Sequence, residues 1–175
     1  MTVRSFLYRF GFVILAVMAV IVMRRPLALL IGAIALAVLI TFVYNSWRSA
    51  RAQRRFRVAY GPKRKDLLLV YSNSPNWQTY VETAWLPRWG ERAVLLNWSE
   101  RSRWQPGAPE VQLFRSLAGD REFNPLAVVV PPSGKPAVIR FWLAFRDYEH
   151  GKERLLRAAE AELEDHLSSV SRTAS

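Results

Sequence analysis

A long apolar stretch near the start of the chain, residues 6–44, constrains the fold more than any other feature. It consists of two runs, 6–23 and 27–44, separated only by Arg24–Pro26. The second run contains 18 residues and no charge, so as a helix it extends about 27 Å, close to the ~30 Å core of a bilayer. As one straight helix the whole stretch would extend about 58 Å, so we expect Arg24–Pro26 to form the turn of a transmembrane helical hairpin.

The first apolar run is the weaker of the two, and it leaves two alternatives open. Its uncharged part, residues 10–23, has only 14 residues, so it could be the core of a signal peptide or half of a shallow re-entrant wedge. It ends in Met23 and is followed by Arg24 and Arg25, whereas a signal-peptide cleavage site needs small residues there. A second apolar run follows at once, which favours the hairpin.

The net positive charge of the chain is confined to its membrane segment and the basic flank that follows it. Residues 1–65 contain 12 Lys or Arg and no acid, whereas residues 66–175 contain 13 Lys or Arg and 14 Asp or Glu. The two parts therefore carry +12 and −1, which together make the net +11. Because the C-terminal part is nearly neutral, we expect no nucleic-acid binding.

The distribution of arginines predicts the membrane topology. Two arginines lie in the expected turn, whereas a basic cluster follows the second run, so the positive-inside rule places both termini and the soluble domain in the cytoplasm. We expect this membrane to be a bacterial inner membrane. Basic side chains beside a membrane attract anionic headgroups, and the candidates for this lipid contact are Arg48, Arg51, Arg54, Arg55 and Arg57.

The rest of the chain predicts an α/β domain. After a basic juxtamembrane helix and linker at 46–65, residues 66–168 alternate between short apolar runs and amphipathic stretches, followed by a tail at 169–175. The order strand, helix, strand, helix, strand, strand, helix predicts a four-stranded mixed sheet flanked by helices. The expected strands are 67–71, 93–98, 126–130 and 137–145, and the expected helices begin at 74, 110 and 152, with Leu155, Ala159 and Leu163 facing the core.

This order resembles the thioredoxin-like fold in its short, glutaredoxin-type form. The segment Val70–Ser74 is similar to the end of the strand that precedes the redox motif, and Pro125 stands where that family keeps a cis-proline. The resemblance covers residues 66–168 and places the two motif cysteines at Asn76 and Thr79. Neither is a thiol, and the chain contains no cysteine. The resemblance therefore implies the fold without the redox chemistry.

The first helix of this domain provides the candidate binding pocket. With Ser74 as its N-cap and Pro75 at its first position, the helix presents unpaired N–H groups and a positive dipole end. Such an end can hold an anion or a carboxylate, and ordinary capping is the alternative. The side chains assigned to this pocket are Ser72, Asn73, Ser74, Asn76, Thr79 and Pro125.

Two further sets of residues have a functional and a structural interpretation. Trp89 and Trp104 lie in or beside loops, so they are candidates for contact with a partner protein, or else they cover the edge of a small core. Asp147, Glu149 and His150 could ligate a metal, but a solvated helix start explains them as well. Glu160 belongs to a run of acids that predicts a solvated helix face. We predict no catalytic residue, no metal and no cofactor.

These observations favour a membrane-anchored, redox-inactive thioredoxin-like domain that binds another membrane or membrane-associated protein at the cytoplasmic face. The alternative is a transferase that uses glutathione or a small anion, in which Tyr71, Ser72 or Ser74 activates the bound thiol. A nucleophile-activating group near Ser74 would distinguish the two, and the sequence does not identify one.

Overall fold

The computed structural model describes residues 3–117 and 124–174, and the chain divides into two compact units, Met1–Ser46 and Trp47–Ser175. The helices are α1 (Val3–Tyr60), α2 (78–89), α3 (Pro109–Leu117), α4 (Trp142–Tyr148) and α5 (Arg154–Ala174). The strands are β1 (Leu67–Tyr71), β2 (Ala93–Asn97), β3 (Leu126–Val129) and β4 (Ala137–Arg140). Short 3-10 helices lie at Gly61–Lys63 and Trp98–Arg103.

The four strands form one mixed sheet, as the sequence predicts, and their order in it is β2-β1-β3-β4. β1 and β2 are parallel, with Leu67 opposite Ala93, and are joined through α2. β3 is antiparallel to both β1 and β4. The turn from β3 to β4 contains Gly134 at a φ of 89°, a left-handed conformation that glycine adopts without strain.

Each face of the sheet has its own hydrophobic core, because successive side chains of a strand point to opposite faces. Leu67 and Leu69 of β1 pack on one face with α2, α4 and α5, where Trp85 is fully buried. Leu68 and Val70 pack on the other face with α3. The uninterrupted apolar sequence of β1 follows from this burial on both sides.

The turn that we expected at Arg24–Pro26 is helical in the structure. α1 continues through these residues, with Pro26 inside it. Proline fixes φ near the helical value, so this triplet is compatible with a helix that gives up one backbone hydrogen bond. The segment Leu29–Lys63 is long and apolar enough to cross a membrane, and every side chain described from Leu29 to Tyr44 is exposed.

The compact C-terminal unit begins earlier than we expected, at Trp47 instead of residue 66. The reason is Phe56 of α1, which is fully buried with Leu68 and Phe114 on one face of the sheet. Tyr60 also packs there, and its hydroxyl donates to Glu110 Oε2 at 2.6 Å. The end of α1 is therefore part of the domain core.

The second half of the predicted fourth strand is wrong, because β4 ends at Arg140 and α4 follows at Trp142. Phe141, Ala144 and Phe145 are buried, whereas Leu143 is 53% exposed. This spacing is helical, and the apolar residues between 141 and 145 had masked it.

The closing helix α5 differs from the prediction in register and in length. Leu163 is buried, as predicted, whereas the predicted Leu155 is 41% exposed, and the other buried positions are Leu156, Glu160, Leu167 and Val170. The helix continues to Ala174, so most of the segment predicted as a tail is helical. Leu167 and Val170 explain the extension, because both are buried in the core.

Candidate functional site

The predicted pocket residues lie at one edge of the sheet. Parallel β1 and β2 end together, with Tyr71 opposite Asn97, and antiparallel β3 begins beside them. Pro125 precedes β3, its peptide bond to Asn124 is cis, and its carbonyl accepts a hydrogen bond from the Phe141 N–H at 2.9 Å. We call residues 72–79, 97–99 and 124–125 the carboxyl edge.

A hydrogen-bond network joins the two parallel strands at the carboxyl edge. The Asn73 N–H donates to Ser99 Oγ at 3.0 Å, and Asn97 Nδ2 donates to Asn73 Oδ1 at 2.7 Å. The Ser99 N–H then donates to Asn97 Oδ1 at 3.0 Å. These groups satisfy one another, so the network fixes the loop geometry while leaving Asn73 exposed.

The prediction that the Ser74 side chain caps the first helix of the domain is wrong, because the helix begins later and the Ser74 carbonyl, not its hydroxyl, accepts the hydrogen bonds. α2 begins at Gln78, and no side chain caps it among the described residues. The Ser74 carbonyl instead accepts from the N–H groups of Trp77 and Gln78, at 3.3 and 2.9 Å. Ser72 Oγ accepts from Trp77 Nε1 at 3.2 Å. A turn thus precedes the helix.

Of the remaining pocket residues, Asn76 and Thr79 are exposed, at the positions that the resemblance assigns to the motif cysteines. They lie on either side of the start of α2, so the structure brings them to the same edge as Pro125. Their amide and hydroxyl groups can exchange hydrogen bonds with a partner but cannot carry out thiol chemistry.

Tyr71 lies at the end of β1 and is 8% exposed, and its pKa is raised by burial and by the carboxylates of Glu82 and Glu100. The raised pKa keeps the phenol protonated, so Tyr71 could act on a bound thiol as a hydrogen-bond donor but not as a base.

The tryptophans expected to contact a partner are both packed inside the domain. Trp89 is 4% exposed and lies 5.6 Å from Trp85 between ring centroids. Trp104 is half-buried against Trp98 and Phe114, and its Nε1 donates to the carbonyl of Asn97 at 3.1 Å. Both residues cover the small core, which was the structural alternative.

Glu160, predicted to lie on a solvated face, is the most buried acidic group among the described residues. It is 4% exposed, and its Oε1 accepts from Tyr80 Oη at 2.9 Å and from Trp85 Nε1 at 2.8 Å. Oε2 accepts from Arg157 Nη1 at 3.2 Å. Burial and the bond to Glu160 raise the pKa of Tyr80 to about 12. Three donors on one carboxylate make this cluster a structural link between α2 and α5.

The shape of α2 contributes to this cluster. Residues Val81–Trp85 form a π-helical segment in which the Leu86 N–H donates to the carbonyl of Val81. Pro87 follows, and it has no N–H with which to continue a regular α-helix. Trp85 is the last residue of this wider turn, and its indole N–H donates to Glu160.

The arginines predicted to contact lipid fall into two groups. Arg48, Arg51 and Arg54 are exposed, and Arg51 lies 5.4 Å over the ring of Trp47. Arg55 instead donates to Gln112 Oε1 at 2.6 Å, and Arg57 donates to the carbonyl of Gly134 at 3.0 Å. The last two therefore hold α1 to the domain.

In the described part of the chain, no three His, Asp or Glu side chains are close enough to hold a metal ion. The Asp147 carbonyl accepts from the N–H groups of His150 and Lys152, both at 3.0 Å, which is ordinary chemistry for the end of a helix.

No protein family, characterised protein or solved structure matches this chain in comparison, so its function has to be argued from its own geometry.

Proposed function

We propose that this protein is a membrane-anchored binding module whose domain has a thioredoxin-like fold without redox activity. The observation that carries the proposal is the exposed apolar segment from Leu29 to Tyr44, which precedes a closed domain with two buried cores. A soluble domain does not benefit from such a segment, whereas a module that must stay at a membrane does.

Three observations support the thioredoxin-like part of the proposal. The chain order of strands and helices, the mixed four-stranded sheet and the cis bond at Pro125 are those that the resemblance implies. Thiol exchange is impossible without cysteine. What remains at the carboxyl edge is a set of exposed amide and hydroxyl groups on a rigid loop, which suits recognition of a protein partner.

The length of the apolar stretch bears on how many times the chain crosses the membrane. In a bilayer, residues 6–44 would extend about 58 Å as one helix, nearly twice the hydrocarbon thickness. We therefore propose that, once the protein is inserted in a membrane, Arg24–Pro26 opens into a turn on the outer side. The chain then has two spans. With the basic cluster after the second span, both termini and the domain lie in the cytoplasm. We expect the anionic headgroups to contact Arg48, Arg51 and Arg54.

Reporter fusions test this topology. With two spans, reporters placed before residue 1 and after residue 175 both report the cytoplasm. A C-terminal reporter in the cytoplasm with an N-terminal reporter outside would replace the hairpin by a single span. A C-terminal reporter outside would refute the proposed location of the domain.

Site-specific photocrosslinking tests the binding role. A photoreactive amino acid at Asn76, which is exposed at the carboxyl edge, is expected to capture one membrane or membrane-associated protein in intact membranes. The same probe at Glu162, exposed on α5, is the matched control. If both positions capture the same mixture, or neither captures anything, the carboxyl edge is not the binding surface.

A further inference from the structure

A cavity of about 760 Å³ lies at the edge of the sheet opposite Pro125, where β1 and β2 begin and β3 ends. Small-molecule sites have volumes of roughly 300–1,000 Å³, so the size suits a ligand. Its charged lining comes from Arg57 of α1, from the segment 64–66 before β1, and from Arg92 before β2. None of these residues belongs to the carboxyl edge.

The charges that line this cavity are unbalanced. Four are positive, Arg57, Arg64, Lys65 and Arg92, and Asp66 is the one carboxylate among the lining residues. Arg92 pairs with it through two bonds, one from Nε to Oδ1 at 3.0 Å and one from Nη2 to Oδ2. The other three cations leave an excess of three positive charges around the cavity.

The hydrogen-bond donors are also in excess. Arg57 Nη2 donates to the carbonyl of Gly134, but Arg57 Nε is buried and has no acceptor among the described residues. A buried donor without an acceptor is costly, and a small movement of this side chain would let a ligand in the cavity accept from it. Within the described residues, the guanidinium of Arg64 makes no hydrogen bond or ion pair. Lys65 is already used, since its Nζ donates to the carbonyl of Ala93 at 2.6 Å.

We propose that this cavity binds a phosphate group, through Arg57 and Arg64. The planar donors of arginine match the oxygens of a phosphate, and the excess charge matches an anion. The lining also includes the apolar residues Val130, Pro132 and Val170. The ligand is therefore a phosphate ester with an apolar or uncharged part. Its source is either the headgroup of an anionic phospholipid or a soluble phosphate ester.

The test uses the full-length protein in dodecyl maltoside micelles, which contain no phosphate, and follows the Arg57 Nε–H signal by NMR. The Arg57→Lys variant identifies this signal. Glycerol 3-phosphate is titrated against sodium chloride of equal ionic strength. In a second arm, the micelles contain phosphatidic acid or, as the matched control, diacylglycerol. A saturable shift in the first arm identifies a soluble ester, and a shift with phosphatidic acid alone identifies a lipid headgroup.

Two matched variants sharpen the result. Arg64→Gln removes a guanidinium that makes no hydrogen bond or ion pair with the described residues, and it is expected to weaken phosphate binding about tenfold, the effect of losing one charge-assisted bond. Arg103→Gln makes the same charge change on an exposed residue outside the cavity and is expected to bind like the parent protein. Equal weakening by the two variants, or no shift beyond chloride in either arm, would overturn the proposal.

Discussion

Replacing Glu160 by alanine tests the central link between α2 and α5. The carboxylate is 4% exposed and accepts hydrogen bonds from the fully buried Trp85 and from the half-buried Tyr80. Alanine leaves the indole N–H of Trp85 inside the core without an acceptor. The phenol of Tyr80 is closer to the surface and can turn towards water.

The expected loss follows from these contacts. A buried donor left unpaired costs about 1–3 kcal/mol, and a hydrogen bond to a charged acceptor contributes about 1.5–3 kcal/mol. Arg157 adds little, because its side chain is 58% exposed and its ion pair is screened. Part of this loss is offset, because the alanine variant no longer buries a charged carboxylate and avoids its desolvation cost. We expect Glu160→Ala to lower the free energy of unfolding by about 3 kcal/mol.

The assay is urea unfolding of the full-length protein in mild detergent, followed by tryptophan fluorescence. Glu160→Gln keeps an acceptor oxygen in place, so a loss of only about 1 kcal/mol is expected. Glu162→Ala removes an exposed carboxylate from the same helix, and a change within about 0.5 kcal/mol is expected. If Glu160→Ala behaves like Glu162→Ala, the buried cluster does not stabilise the domain and the reasoning fails.

Three other outcomes follow from the structure. Phe56→Ala is expected to lower the free energy of unfolding by about 3–4 kcal/mol, because Phe56 is fully buried, whereas Val58→Ala, at a 70% exposed position, leaves urea unfolding unchanged. Asp66→Asn breaks the pair with Arg92 and is expected to cost about 1 kcal/mol, a difference that shrinks in high salt. Burial and a carboxylate partner raise the pKa values of Tyr60 and Tyr80 to about 12, so their contribution to stability is complete below pH 10 and is lost as pH rises from 10 to about 12. Tyrosine absorbance at 295 nm measures this, and Tyr80→Phe should remove one of the late-ionising groups; ionisation of all tyrosines near pH 10 would contradict it.

Helix α4 shows where local sequence is ambiguous. Residues 137–145 are apolar at almost every position, which is consistent with a strand buried on two faces or with a short helix. The sheet decides between them, because antiparallel β3 begins at Leu126, which lies opposite Arg140. Beyond that point the chain has no strand to pair with, and a helix satisfies its backbone within itself.

The burial of Glu160 can be predicted from the sequence, whereas its hydrogen-bond partners cannot. The spacing from Leu156 through Glu160, Leu163 and Leu167 is four, three and four residues, the spacing of a core-facing stripe. An acid in that stripe could have been flagged from the sequence. Its partners could not, since Tyr80 and Trp85 lie 80 and 75 residues away.

The sequence by itself determined the features that depend on local pattern and composition. These are the apolar segment, the confinement of the net positive charge to residues 1–65, the positions of the buried strands and the absence of thiol chemistry. The tertiary structure alone decided which side chains meet: Phe56 and Trp89 in the core, Trp104 half-buried against it, and the cation-lined cavity before β1. The physical reason is that burial and hydrogen bonding of these groups depend on contacts between distant segments, which the period of a single helix or strand does not encode.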